Sequence, residues 1–250
     1  MESNHIVTPV IVNIYVLCYN EEVLLPHMVF HYKKYLPNCS ITIYDNESTD
    51  NSVEVAKSLG CEVISWSSGG INDTEKKRNI HNNCWKDAPC DWIICADMDE
   101  WLCITEADLN LETVKKTSIL KIQGYEMVGT STTIDLNDVD LHKIDRCYPN
   151  KMESKHLCFN KKFIEQIGYD NGNHGIKPIG NIVYSDKIYA NKHMSALGLP
   201  FFMKKNKSRF VRCEAQRKKR MSTHYKDNTQ EIERMYKNFY DKSKIVTSLF

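Results

Sequence analysis

The sequence predicts an α/β fold: a mostly parallel central sheet flanked by helices, with a helical tail at the C-terminus. Three observations predict it. Short runs rich in Val and Ile alternate with segments of helical periodicity from residue 10 to residue 102, the order that right-handed strand–helix–strand units require. The runs end in polar breaks, YNEE, DNESTD, SSGG and DMDE, and in open parallel sheets ligands bind beyond the carboxyl ends of the strands. A chain of 250 residues, 42% hydrophobic and 26% charged, is long enough to bury one core of this kind.

The elements follow in order. Val10–Cys18 reads as a buried strand, and VLLPHMVFHYKKYL after it as a helix with apolar residues at helical spacing. SITIYD is the second strand. The break NESTDNS supplies Ser, Thr, Asp and Asn as N-cap candidates for the helix SVEVAKSLG, which stops at Gly60. CEVISW is the third strand, SSGGINDTEKKRN leads into a helix reaching Trp85, and DWIICA is the fourth strand. Beyond Leu102, TEADLNLETVKKT reads as a helix capped by Thr105 and SILKIQGYEMV as a strand. Residues 129–150 are polar with little periodicity, which predicts a long loop. VYSDKIYANKHMS reads as extended. Two helical stretches, PFFMKKNKSRFVRCEAQRKKR and TQEIERMYKNFYDKS, close the chain around MSTHYKDN.

Composition removes several function classes. Lys plus Arg number 33 against 32 Asp plus Glu, so net charge draws the chain toward neither nucleic acid nor acidic partners. The basic segment KKNKSRFVRCEAQRKKR has its few aromatics grouped at its start, not interleaved as stacking platforms; it reads as a solvated helix face that supplies one cation to a site. None of the 10 cysteines forms a C-x-x-C pair, which argues for reduced thiols and against a structural zinc module. The apolar stretch near the N-terminus is about ten residues, against roughly 20 for a membrane span, and lacks the marks of a signal peptide. A cytoplasmic protein is the expectation.

The fourth strand ends abruptly in Asp97, Asp99 and Glu100. Carboxylates so close repel one another and lose hydration if sequestered. Their counter-charge is a bound cation, a Lys or Arg, or solvent. Asp97 and Asp99 alternate along an extended segment and would face opposite ways unless the chain turns between them. Mg²⁺ or Mn²⁺, hard cations whose open positions phosphate oxygens fill, suits the first alternative.

These residues carry a resemblance. VLCYNEEVLLPHMVFHY, YDNESTDNS, GCEVISW, the GG followed by R-N, DWIICADMDEWL, GYEMVG, IEQIGYDNGNHG, HMSALGL and HYKD, in this order, resemble the GT-A glycosyltransferases, specifically the family-2-like group. They are also similar to glycosyltransferase domains of large DNA viruses. The resemblance covers most of the chain. It implies one GT-A, Rossmann-like domain over residues 1–250, with 1–104 as the nucleotide-binding half and 105–250 as the acceptor-side half and helical tail. It implies an enzyme that binds a nucleotide-diphosphate sugar, a UDP-sugar by expectation, and passes a hexosyl or deoxyhexosyl group to a hydroxyl of a glycan or other acceptor. Carried onto this sequence, Tyr19, Asn20 and Glu21 would line the nucleotide pocket and Asp45 would accept from a uracil-like base edge. Gly70 with Gly69 would let the backbone turn beside Arg78, near the nucleotide or donor sugar. Asp97, with Met98 after it, would meet the ribose or sugar, and Asp99 would bind Mn²⁺ or Mg²⁺ together with His193; His224 and His174 are rivals for that second ligand.

Inversion at the anomeric carbon is expected, with Glu100 as the catalytic base beside Asp99; Glu126 and Asp135 are the rivals. The chain departs from the commonest family-2 pattern in having no E-D pair followed by a Q-x-x-R-W block, which weakens the base assignment more than the donor site. The other readings are a sugar-nucleotide-binding protein without transfer activity and a nucleotidyltransferase. Nucleic acid is not an expected partner, no transmembrane segment is expected, and there is room for a homodimer. If the viral likeness holds, the location is the host cytoplasm.

Overall fold

The computed structural model describes residues 9–218 and 222–249. Residues 1–8, 219–221 and 250 lie outside the described residues, and with them the start of the N-terminal segment and the last residues of the first tail stretch. The chain runs β1 (Val12–Cys18), α1 (Leu25–Tyr35), β2 (Cys39–Asp45), α2 (Ser52–Ser58), β3 (Glu62–Ser65), α3 (Thr74–Asn83), β4 (Trp92–Asp97) and β5 (Glu100–Cys103). It continues through α4 (Glu106–Val114), β6 (Ile119–Val128), β7 (Arg146–Pro149), β8 (Cys158–Asn160), β9 (Ile164–Gln166), β10 (Ile179–Gly180), β11 (Tyr184–Ala196), α5 (Leu199–Arg212), α6 (Glu214–Lys218), α7 (Thr229–Lys242) and β12 (Lys244–Ile245).

The α/β expectation holds. In the first half the strand order is β4-β1-β2-β3 with every pair parallel. All seven residues of β1 are buried, the signature of a strand covered on both faces. Alternation along the strands sorts the core. Ile14 and Val16 of β1 and Ile94 of β4 pack with Leu25, Met28 and Tyr32 of α1. Tyr15, Ile93 and Cys95 face the other way, against Trp85, Phe159 and Tyr169. The local signals work as chemistry dictates. Gly60, at φ +76°, takes the left-handed position that ends the second helix. Asp73 caps α3 by accepting from the amides of Glu75 and Lys76. Thr105 and Asp108 form a reciprocal capping box on α4.

The second half differs from the reading in three ways. Its strands are mixed: β6 and β11 run parallel, but β8 pairs antiparallel with β4 and β6, and β5 antiparallel with β11. The loop expected over 129–150 ends in β7, whose Cys147 pairs with Met127 of β6. The first tail helix breaks at Cys213, next to the point where the Arg212 carbonyl accepts from the Asn72 amide at 2.9 Å. The 10 cysteines are free thiols. No helix among the described residues is long and apolar enough to cross a membrane.

Candidate functional site

A cavity of about 680 Å³ opens at the carboxyl ends of β1 and β4, within the size range of small-molecule sites. The turn at Met98–Asp99 decides its character. It reverses the chain between β4 and β5, so Asp97 and Asp99 both reach this cavity and do not point to opposite faces.

All three carboxylates of the acidic knot find their counter-charge in Lys and Arg. Asp99 is 2% exposed, with its Oδ2 at 2.9 Å from both Lys205 Nζ and Arg209 Nη2 and at 3.5 Å from His193 Nε2. Burial alone would raise its pKa, but Lys205, Arg209 and His193 outweigh it and hold the carboxyl well below its usual range. Lys155 is 8% exposed and takes the other two: it touches Glu100 Oε1, lies 3.8 Å from Asp97 Oδ2, and also reaches Glu153 at 3.6 Å. Burial works against its charge, yet Glu100, Glu153 and Asp97 push its pKa well above the ordinary value.

Glu100 requires a correction. Its place beside Asp99 predicts a base on the acceptor; it lies at 1% exposure, off the cavity wall. Its Oε2 accepts from the Asp97 amide at 2.8 Å and its other oxygen meets Lys155. Burial lifts its pKa to about 7. It holds the turn that aims Asp97 and Asp99, and no substrate-facing oxygen is left to take a proton.

Asp45 and Gly70 also lie off the wall. Asp45 is 3% exposed and its Oδ2 accepts from the Ser48 amide at 3.1 Å, which closes the turn after β2. Its neighbours Asn46 and Trp66 line the cavity instead. Gly69 and Gly70 do take the expected turn, at φ +66° and +78°. That turn is exposed, and Gly70 meets the site only through its carbonyl, 3.4 Å from Arg212 Nε.

The remaining predicted residues gather on the wall: Tyr19, Asn20, Glu21, Arg78, Asp97, Met98, Asp99 and His193. Asn20 adopts φ +54° and binds the next loop, accepting from the Thr49 amide at 2.7 Å. Glu21 reaches Lys205 at 3.1 Å. The Arg212 guanidinium lies 3.4 Å over the Tyr19 ring. His174 and His224 border the cavity, and the histidine that the described residues pair with Asp99 is His193. Glu126 lines the cavity and Asp135 does not.

Sequence reasoning missed Lys155 and Glu153, which sit in a loop without periodicity. It assigned the basic helix one cation, whereas α5 turns Lys205, Arg209 and Arg212 toward the cavity. Their spacing of three and four residues, the spacing of one helix face, was the signal available.

His193 Nε2 and Asp99 Oδ2 offer a divalent cation a donor pair, on an oxygen that Lys205 and Arg209 also hold at 2.9 Å. Both are held in a cavity, and their 3.5 Å separation is close to the roughly 3 Å between neighbouring ligands each about 2.1 Å from an ion. The oxygen and imidazole donor set is one that Mn²⁺ accepts. Glu126, Glu153 and His193 also offer ligand atoms within 4.8 Å of one another.

No family model matches the chain. Protein RfbJ of Shigella flexneri is 30% identical over 83 residues, 33% of this chain and 60% of that protein. Among solved structures, S. aureus TarS is 13% identical with a TM-score of 0.45, over 92% of this chain and 43% of its own. Glucosyl-3-phosphoglycerate synthase from Mycobacterium tuberculosis, crystallised with Mn²⁺, UDP and glucosyl-3-phosphoglycerate, is 13% identical with a TM-score of 0.32, over 45% of this chain and 43% of its own. The chain thus spans less than two thirds of the length of each of these three proteins.

Proposed function

We propose that this chain is a GT-A glycosyltransferase that moves a sugar from a UDP-sugar to an acceptor hydroxyl, with a divalent cation and with inversion. The observation that carries the reading is one cavity wall on which Asp99 pairs with Lys205, Arg209 and His193 while Asp97 stands beside it, paired with Lys155. Such a wall suits a ligand that has both hydroxyls and a strongly anionic group. The likeness of the sequence blocks supports the same reading. The narrower expectations, a hexosyl or deoxyhexosyl group, a glycan acceptor, kinship with large-virus domains and a cytoplasmic setting, extend this proposal.

The residues divide the work. Tyr19, Asn20 and Glu21, with Asn46 and Trp66 in place of Asp45, hold the nucleoside. Lys205, Arg209 and Arg78 meet the diphosphate, and Asp97 accepts from a hydroxyl of the donor. Asp99 and His193 would hold Mn²⁺ or Mg²⁺, which when bound adds positive charge beside the leaving group. The base is reassigned to Glu153, a cavity carboxylate whose nearest charged partners, Lys155 and His193, stand back at 3.6 and 3.7 Å. Glu153 takes the proton of the acceptor hydroxyl as that oxygen bonds the anomeric carbon from the face opposite the diphosphate. The bond from this carbon to the diphosphate oxygen breaks. Its electron pair leaves with UDP, against Lys205 and Arg209.

Thermal shift with UDP, GDP, CDP and dTDP, each with and without Mn²⁺, tests the donor site. UDP with Mn²⁺ should give the largest rise in Tm, since a ligand at a hundred times its Kd stabilises by about 2.7 kcal/mol. The absence of any Mn²⁺-dependent rise would sink the reading. Glu153→Gln should keep UDP affinity and lose transfer by about 10²–10⁴-fold; unchanged turnover would send the base role elsewhere.

A further inference from the structure

The cation site of the proposed function has a supporting layer. Glu126 of β6 and His193 of β11 are register partners on adjacent parallel strands. His193 Nδ1 lies 2.8 Å from Glu126 Oε2, while Nε2 on the other side of the ring faces Asp99 Oδ2 at 3.5 Å. Ser195, two residues along β11, donates its hydroxyl to Glu126 Oε1 at 2.5 Å. Both oxygens of Glu126 are therefore engaged, at 2% exposure.

An imidazole can offer only one nitrogen lone pair to a cation, and the hydrogen bond made by the other nitrogen decides which. A carboxylate at Nδ1 keeps the proton there, so Nε2 is the nitrogen that a cation would take, displacing the proton it shows to Asp99. It also fixes the plane of the ring. Both groups stand on paired strands, which position side chains more closely than loops do.

We propose that Glu126 is a positioning residue that holds His193 as its Nδ1–H tautomer, with Nε2 aimed at a divalent cation shared with Asp99. Ser195 orients Glu126 in turn. This rests on the cation site proposed above and goes beyond it, because it gives Glu126 a role that is neither base nor ligand. The competing arrangement puts the ion on the other side of the ring, among His193 Nδ1, Glu126 and Glu153, and leaves Asp99 out.

Mn²⁺ alone, titrated into the chain and followed by electron paramagnetic resonance, gives a readout independent of transfer. Loss of an outer partner of a metal-bound histidine commonly weakens metal binding 10- to 100-fold. Glu126→Gln should show that loss when titrated at a temperature well below its own Tm, and Ser195→Ala a smaller loss. Histidine side-chain NMR of the wild-type chain with ¹¹³Cd²⁺, a diamagnetic stand-in, should show a protonated Nδ1 and cadmium coupling to Nε2 of His193. Coupling to Nδ1, or a Glu126→Gln variant that binds Mn²⁺ as the wild type does, overturns the proposal. A wild-type chain that binds no Mn²⁺ overturns the cation site itself, and the role of Glu126 with it.

Discussion

The two halves of the molecule build the site in different ways. Up to β5, the functional groups follow directly on the strands that present them: Tyr19, Asn20 and Glu21 after β1, Asp97 and Asp99 at the end of β4. After β5, they come from strand interiors, a helix face and a loop: Glu126 and His193, Lys205 and Arg209, Glu153 and Lys155. The first half brings the acids, and most of the counter-charges come from the second. Neither set is stable buried without the other, so folding of the second half is what makes the acidic knot tolerable.

The strongest way to break that division is Lys155→Met. It leaves Glu100 buried without its counter-charge, and removing one partner of a buried pair costs about 3–5 kcal/mol. At 2–4 °C of Tm per kcal/mol for a chain of this size, Tm should fall by about 10 °C, and adding Glu100→Gln should restore much of it. A double variant as unstable as the single would show that the pairing across the halves is not the reason.

Acid gives the next effect, and it falls on the first half. Burial lowers the pKa of His31 and of His81 to about 4. The unfolded chain then takes up these protons first, near pH 6.5. Their contribution to stability is complete above pH 6.5 and is lost as pH falls toward 4, by about 3 kcal/mol for each group at the limit. Buried Glu100, raised to about 7, works in the opposite sense over this range, so the test is a difference: from pH 7 through 5.5 to 4.5 the urea midpoint of His31→Gln, which can still donate to the Leu102 carbonyl that His31 reaches at 2.9 Å, should gain on that of the wild type. Parallel curves for the two proteins would remove His31 from the account.

Gly124→Ala probes the second half. A Cβ there would overlap the backbone carbonyl of Glu153, so the loop that carries Glu153 and Lys155 must move. A cost of about 1–3 kcal/mol is expected, together with a loss of transfer that exceeds the loss of UDP affinity. Equal losses would uncouple Glu153 from chemistry. The smallest effect comes from Thr105→Ala, which removes the α4 cap and should cost about 1 kcal/mol while UDP affinity stays as it was.

Legibility followed the same division. The parallel run of β1 to β4, though not their order across the sheet, was readable because the buried strands β1 and β4 are continuous apolar runs, and polar breaks follow the strands. Antiparallel pairing of β5 with β11 was not, since it joins segments some ninety residues apart and depends on a turn at Met98–Asp99 that no glycine or proline announces. That same turn hides the place of Glu100: adjacency to Asp99 suggests a base facing the sugar, but β5 carries Glu100 inward to Lys155. Charge partners so distant in sequence leave no local pattern. Lys205, Arg209 and Arg212 are the exception, because a helix face has a period.

Under the proposed function, the cations of the second half hold a diphosphate delivered to the acids of the first. Calorimetric titration of UDP with Mn²⁺ into the wild-type chain and into Lys205→Met/Arg209→Met tests it most directly. One UDP should bind per wild-type chain, and the double variant should bind at least about a hundredfold more weakly, the loss expected for two charge-assisted contacts at about 1.5–3 kcal/mol each. A double variant that binds UDP as tightly as the wild type, or a wild-type chain that binds none, would contradict the account.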